Sequence, residues 1–311
     1  MFAILSTISG SLCARQPREV KVLYWNIQNG MWADQGNNYD NFVSFVKSQN
    51  PDICVWAEAE SRYRTGTCDK MAGCEEAYLP YNWDLLAARY GHKYVCLAGK
   101  RDTFPQVITS KYPIEIVKRI NGNDDDIIVV HGAGWARIQL GKETVNIVTV
   151  HTWPQKYAYL AEDTAKSAAE SGGAVFRSVE MKYICEQTIL AQPGAENQHW
   201  MMLGDFNALS SIDNSHYKRN LSDKEYLVHD YIRNNTPYVD MIQKQYPDSF
   251  EPSTFSGKRI DFVYMTEPLY RQVTGARIIR DGYPKSYRLK DMHNFCIPSD
   301  HYPIVFTLRI K

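Results

Sequence analysis

The 311-residue sequence predicts an α/β or α+β layered sandwich, and three observations point there. Runs of β-branched and aromatic residues fill the middle of the chain, bounded by turn residues at the spacing of antiparallel hairpins. Segments with helical periodicity come before and between those runs. No linker-like stretch divides the chain, so residues 19–311 read as one domain behind a short leader.

The elements follow in order. Residues 19–27 carry β-branched and aromatic side chains ending at Asn26 and read as a strand. Residues 39–49 place Phe42, Val43, Phe45 and Val46 on one helical face. Asn50, Pro51 and Asp52 break that helix, and residues 53–56 form a short buried strand that delivers Glu58. A helical pattern over 79–90 precedes a strand over 93–98. The middle predicts strands at 106–110, 114–120, 127–131, 134–140 and 144–151, punctuated by turn residues such as Asn121, Gly122 and Gly141. Residues 153–192 turn helical with a break at Gly172 and Gly173. A strand over 199–203, a helix over 223–233 and strands over 259–265 and 302–310 complete the chain.

Hydrophobic residues at 44% and charged residues at 23% fit an ordinary globular protein. The 35 basic and 35 acidic side chains cancel, which argues against binding nucleic acid through the overall field. A local patch remains open: Arg277, Arg280, Lys285, Arg288 and Lys290 cluster upstream of Asp300, as a basic surface or as a loop with scattered charge. Residues 2–14 are apolar with small residues and turn polar at Arg15, like the end of a secretory signal peptide cleaved near Ala14. The leader lacks a positive n-region, and Leu12 is a poor neighbour for lipidation of Cys13. Residues 1–16 are therefore taken as a signal-peptide remnant, and a secreted or periplasmic location is expected. No other stretch is long and apolar enough to span a bilayer, and nothing calls for an obligate protein partner.

Of the seven cysteines, Cys54, Cys96 and Cys185 sit in apolar runs and read as packing residues. Cys68 and Cys74 flank a glycine-containing loop and suit a disulfide in an oxidising compartment. A zinc site is the rival reading, but no second Cys or His pair stands at ligand spacing.

The chemistry-bearing residues share one context. Asn26, Glu58, His151, Asp205 with Asn207, Asp261, and Asp300 with His301 all stand at the ends of predicted strands. Strand ends along one edge of packed sheets converge, so these groups can meet although far apart in sequence. Hydrolysis of a phosphoester needs charge neutralised on the phosphate oxygens, an activated water and a stabilised leaving oxygen. Glu58 is the best candidate ligand for Mg²⁺, with Mn²⁺ as an alternative, helped by Asn26 and Asp300. Asp205 suits orienting or deprotonating water, Asn207 donating to a phosphate oxygen, and His301, held by Asp261, facing the phosphate. Each residue alone has a plain structural alternative: Asp261 can pair with Arg259, and His151 can cap a turn. The set in this order does not.

The strings Tyr24-Trp25-Asn26-Ile27, Trp56-Ala57-Glu58, Thr149-Val150-His151, Gly204-Asp205-Phe206-Asn207, Arg259-Ile260-Asp261-Phe262-Val263-Tyr264 and Ser299-Asp300-His301-Tyr302-Pro303 resemble the successive motifs of the endonuclease/exonuclease/phosphatase superfamily. The resemblance implies a four-layer α/β sandwich, two mixed and mainly antiparallel sheets face to face with helices outside. It also implies a divalent-metal site at one edge. Asn26, Glu58 and Asp300 then correspond to metal-site residues, Asp205 and Asn207 to the water and phosphate pair, and Asp261 to the partner of His301. His151 is similar to the second histidine of some branches, deoxyribonucleases included. Repair endonucleases place a tyrosine between the Glu and the first His, where this chain offers Arg101, a planar fork suited to phosphate.

The expected function is therefore a Mg²⁺-dependent hydrolase of phosphodiesters or phosphomonoesters. Its substrate would be a phosphorylated small molecule, a lipid headgroup or a nucleic acid. A secreted nuclease is one alternative, resting on His151 and the basic cluster. A non-catalytic binding module of the same fold is another, since 21 Tyr and 7 Trp can furnish a stacking surface, with Trp153, Tyr157 and Tyr159 as candidates. Discrimination between substrates is expected in residues 63–79, 153–173 and 281–298.

Overall fold

The computed structural model describes residues 18–60, 83–102, 104–123, 126–289 and 292–310. The leader, the whole of residues 63–79 with the Cys68–Cys74 loop, and Lys290 lie outside the described residues. Among the described residues fourteen strands occur in this order: β1 (Arg18–Asn26), β2 (Ile53–Ala57), β3 (Tyr94–Leu97), β4 (Val107–Ser110), β5 (Ile114–Gly122), β6 (Ile128–Leu140) and β7 (Glu143–His151). They continue as β8 (His199–Asp205), β9 (Tyr238–Asp240), β10 (Asp261–Thr266), β11 (Val273–Ile278), β12 (Tyr287–Leu289), β13 (Met292–Ile297) and β14 (Ile304–Ile310).

Two six-stranded sheets form, ordered β11-β14-β1-β2-β4-β3 and β5-β6-β7-β8-β10-β9, with β12 and β13 as a separate ribbon. The pairs β1–β2 and β7–β8 are parallel and the remaining pairs antiparallel, so both sheets are mixed and mainly antiparallel. Side chains alternate across a strand, and the alternation in β1 shows how the layers arise. Val20, Val22 and Tyr24 join Ile138, Ile147, Leu203 and Val263 of the other sheet in one core between the sheets. Leu23 and Trp25 face the other way and pack with Phe42 and Val46 of the helix Asp40–Gln49 and with Trp83 and Leu86 of the helix Trp83–Arg89. The outer face of the second sheet, with Val148, Trp200 and Phe262, is covered by Met181 and Ile184 of the helix Gly172–Gln187 and Ile232 of the helix Leu227–Asn235. The four expected layers are helix, sheet, sheet, helix. A strand buried on both faces reads as a continuous apolar run, which is why β1, β2 and β8 stand out in the sequence.

Two expectations are corrected. The strands expected at 127–131 and 134–140 are one 13-residue strand, β6. Gly132 is not a turn but a left-handed residue within the strand, φ +68°, where an added Cβ would come 2.5 Å from the Lys100 amide nitrogen. The helical pattern expected over 153–192 is confined to Thr164–Ala169 and Gly172–Gln187, followed by a 3-10 turn. The apolar residues just before it, Trp153, Tyr157 and Tyr159, pack edge to face on one another in a loop. Among the described residues no helix is long and apolar enough to cross a membrane. Cys54, Cys185 and Cys296 are buried free thiols, and Cys96 is a half-buried one.

Candidate active site

Register places the site. In the second sheet His151 pairs with Asp205 across β7 and β8, and Asp205 pairs with Asp261 across β8 and β10, so three side chains stand abreast at one sheet edge. Gly204 makes this possible, because a Cβ there would sit 1.8 Å from the Val150 carbonyl oxygen of the neighbouring strand. In the first sheet Asn26 pairs with Ala57 at the ends of β1 and β2, which puts Glu58 one residue beyond the sheet. His301 precedes β14, the other neighbour of β1, and Trp25 Nε1 donates to its carbonyl oxygen at 2.9 Å.

The two sheet edges are joined by Asn26, whose Nδ2 donates to Glu58 Oε1 at 3.2 Å and to Asp205 Oδ2 at 3.1 Å. Its Oδ1 accepts from the Gln28 amide at 3.1 Å. Asn26 was expected at the metal. Its Oδ1 accepts this one bond and keeps a second lone pair, while its Nδ2 ties the two carboxylates together. Glu58 Oε2 takes the Asn29 N–H at 3.0 Å, and the segment Gln28–Met31 that provides it has left-handed backbone at every residue. Glu58 is itself left-handed, φ +52°. Non-glycine residues at positive φ are uncommon and concentrate where a site over-determines the backbone.

Asp261 is fully buried. Tyr24 Oη donates to its Oδ1 at 2.7 Å, Ser253 Oγ to its Oδ2 at 2.7 Å, and His301 Nδ1 meets Oδ2 at 2.7 Å. His301 Nε2 then faces Asp205 Oδ2 at 3.7 Å and Asp300 Oδ1 at 3.8 Å. Burial disfavours the imidazolium, but Asp261, Asp300 and Asp205 together raise His301 well above the ordinary imidazole range. The alternative pairing of Asp261 with Arg259 is not formed; Arg259 bonds Asp213 and Asp240.

Burial pushes Asp205 up to about 8, with His301 pulling the other way and Asp261 and Glu58 adding to the rise. Glu58 is raised by burial and then by Asp300. Asp205 Oδ1 accepts the Asn207 N–H at 2.8 Å, and Asn207, left-handed at φ +45°, donates one amide hydrogen to the Thr152 carbonyl at 3.0 Å. The second hydrogen of that amide is left for a ligand. His151 Nε2 stands 4.0 Å from Asp205 Oδ2. Burial, then His131 and His301, hold His151 well below the ordinary imidazole range.

Asn26, Glu58, His151, Asp205, Asn207, Asp261, Asp300 and His301 are thus gathered at one mouth. Arg101 is half-buried, and its charge acts on Glu60. Burial pushes Glu60 up to about 7 against that pull. The basic cluster is partly spent: Arg280 pairs with Glu251, Arg277 donates to Gln49, and Arg288 acts on Asp300. Sequence reasoning passed over Tyr24, Ser253 and Ser299. Ser299 Oγ donates to the Asn26 carbonyl at 2.8 Å and accepts the His301 N–H at 3.1 Å, fixing the His301 segment to the end of β1. Tyr24 and Ser299 lie inside the motif strings themselves, which was the available signal.

Asp205, Asp261 and His301 present ligand-type atoms within 4.8 Å of one another, a buried Asp/Asp/His cluster. The 2.7 Å bond within it makes Asp261 and His301 a carboxylate–imidazole dyad. The hard-oxygen donors suited to a divalent cation are those of Glu58 and Asp300, which repel one another. Asn29, whose N–H meets Glu58, has a buried Oδ1 without a partner, a further oxygen in this corner.

A model of the endonuclease/exonuclease/phosphatase family matches residues 23–301. No curated protein matches the chain in sequence. Among solved structures, an AP endonuclease from Archaeoglobus fulgidus is similar at TM-score 0.60 and 15% identity, covering 94% of this chain and 100% of its own. A family protein from Bacteroides thetaiotaomicron gives 0.58 and 15%, with 95% and 99% covered. A 3′ phosphatase from Neisseria bound to product DNA hairpin gives 0.55 and 14%, with 92% and 98% covered. At these identities the likeness is one of fold.

Proposed function

The chain belongs to the endonuclease/exonuclease/phosphatase family, and we propose on that premise that it hydrolyses a phosphate ester by attack of water at a site that takes a divalent metal. The observation that carries this reading is the junction at Asn26, which binds Glu58 of one sheet and Asp205 of the other within reach of His301.

Glu58 and Asp300 would hold the ion, and their crowding without a cation is the feature that a cation relieves. A bound Mg²⁺ or Mn²⁺ would neutralise charge on the phosphate oxygens. Asp205 lies between the two sheets with its proton affinity raised to about 8, which suits a base that must take a proton from water near neutral pH. Its Oδ2 is oriented by the Asn26 amide and its Oδ1 by the Asn207 N–H, so the carboxylate is held rather than free to rotate. His301, charged through Asp261, places an N–H donor where a phosphate oxygen gathers negative charge. Asn207 offers its remaining amide hydrogen to the same group.

The engagement of Arg280 by Glu251 and of Arg277 by Gln49 supports a small phosphate ester over a nucleic acid, and the apolar leader ending at Ala14 supports action outside the cytoplasm. Turnover of chromogenic phosphomonoesters and phosphodiesters with Mg²⁺ or Mn²⁺, compared with the Asp205→Asn variant, tests the reading. Hydrolysis lost in the variant supports it. No turnover of either ester class, or equal turnover in the variant, overturns it. Plasmid DNA cut at low salt with no turnover of small esters would move the substrate to nucleic acid.

A further inference from the structure

Beside the site lies a second carboxylate–imidazole pair that the chemistry above does not use. Asp102 Oδ2 meets His131 Nδ1 at 2.6 Å, the separation of a charge-assisted hydrogen bond. The His131 residue is 4% exposed, and its Nε2 makes no hydrogen bond, so Asp102 is the polar group that orients the ring. That ring lies almost parallel to His151, with centroids 4.5 Å apart and planes inclined by 21°. Phe104 sets its edge against both imidazoles, and Trp153 stacks beyond His131 at 6.4 Å. The Phe104 carbonyl oxygen is 3.5 Å from His151 Nδ1, which marks that nitrogen as the protonated one and leaves Nε2 directed at Asp205.

We propose that Asp102 and His131 are positioning residues for His151, which they hold in the neutral form with its Nε2 lone pair open toward Asp205. Two imidazolium rings at this separation would repel by about 4 kcal/mol at an effective dielectric of about 20, so the stack carries one charge at most near neutral pH. The carboxylate bonded to the stack is on His131, and the charge of His131 disfavours a proton on His151.

The other charged groups around the stack do not reverse this. Glu180 faces His131 from the helix Gly172–Gln187, with Arg177 near it. Glu60 and Arg101 act beside Asp102. Asp205 faces His151, while His301 adds positive charge on that side. The site then has two histidines in opposite states. His301 is a donor charged through Asp261, and His151 is an acceptor kept neutral through Asp102 and His131. A neutral Nε2 can hold a hydrogen of water or of Asp205, and it does not compete with His301 for a phosphate oxygen.

The use made of His151 rests on the hydrolase reading, but the test does not need turnover. Histidine ring resonances of the protein, without metal or substrate, are followed by NMR across pH, with His151 identified by the signal lost in His151→Asn. The expected result is a rise of tenfold or more in the proton affinity of His151, about one pH unit, in both Asp102→Asn and His131→Gln. The conservative Asp102→Glu should restore the wild-type midpoint. A purely packing role predicts that the midpoint stays put while thermal stability falls. An unmoved His151 midpoint in folded Asp102→Asn, or a downward shift in both variants, overturns the proposal. If one variant does not fold, the other decides.

Discussion

The Tyr24 hydroxyl crosses from the first sheet to the second and donates to Asp261 Oδ1 at 2.7 Å, with both residues fully buried. The dyad is therefore anchored from the opposite layer: Oδ1 is filled by Tyr24, and Oδ2 by Ser253 and His301. Tyr24→Phe leaves one carboxylate oxygen without a donor in a dry environment. The expected cost is about 1–3 kcal/mol of stability, read from urea denaturation. Activity should fall by less than in any change to the dyad itself. A Phe variant as stable as wild type would mean that water replaces the hydroxyl and that the sheets are less tightly closed there.

The dyad should behave as one unit. His301→Gln removes the charged donor and is expected to lower kcat by roughly 10²–10⁴. Asp261→Asn removes the carboxylate that raises His301 and should cost most of the same factor. The double variant should be little worse than His301→Gln alone, since groups acting as a unit are strongly non-additive. Multiplicative losses in that cycle would show that Asp261 acts on something other than His301.

These partnerships also show what a sequence can disclose. Asn26, Asp205 and His301 were legible because each sits where a run buried on both faces stops, and such runs are conspicuous. The layers were legible for the same reason. The Tyr24–Asp261 bond was not, because it joins residues 237 apart and depends on which face of β1 meets the second sheet. His131 escaped notice because Gly132 looks like a turn, while in the structure it is a left-handed residue inside β6. The strands β9 and β12, at three residues each, are too short to show a period.

Glu180 gives a pH signature of the fold. Burial pushes it up to about 7 from an ordinary 4.5, although the Trp153 and Val130 N–H groups donate to it at 2.9 Å. An acid raised in the folded state binds its proton more tightly there than when unfolded. Its contribution is thus full below pH 4.5 and is lost as pH rises to about 7. The span is of order 3 kcal/mol. Denaturant midpoints between pH 4 and 8 should fall with rising pH more steeply in wild type than in Glu180→Gln. Parallel curves would show that the two backbone donors keep the carboxylate ionised throughout.

Adding a divalent cation should stabilise the fold. Glu58 and Asp300 repel one another, and an ion that binds the native state alone shifts the equilibrium by mass action. Mg²⁺ at about a hundred times its dissociation constant is expected to add about 2.7 kcal/mol, seen as a raised Tm that EDTA reverses. Glu58→Gln should abolish most of the rise while folding normally without metal, because removing one of two facing acids relieves the repulsion. A Tm that ignores the cation in wild type would mean that no ion binds the fold, and one that rises equally in Glu58→Gln would place the ion elsewhere.

Arg259 holds the approach to the site by a different device. It is 2% exposed, and its Nε and Nη1 donate to Asp213 Oδ2 at 2.8 Å and Asp240 Oδ2 at 2.7 Å, with the guanidinium 4.3 Å over the Phe262 ring. It stands two residues before Asp261, so the clamp fixes where β10 begins. Arg259→Met keeps the length of the side chain but leaves two buried carboxylates without their cation, a loss of about 3–5 kcal/mol. Arg259→Lys offers a point charge in place of the fork and should recover only part of it. The destabilisation by Arg259→Met should shrink as pH falls toward 4, because protonation of Asp213, whose proton affinity burial raises, removes charge that the arginine balanced. A penalty independent of pH would mean that packing against Phe262, rather than the ion pairs, is what the guanidinium contributes.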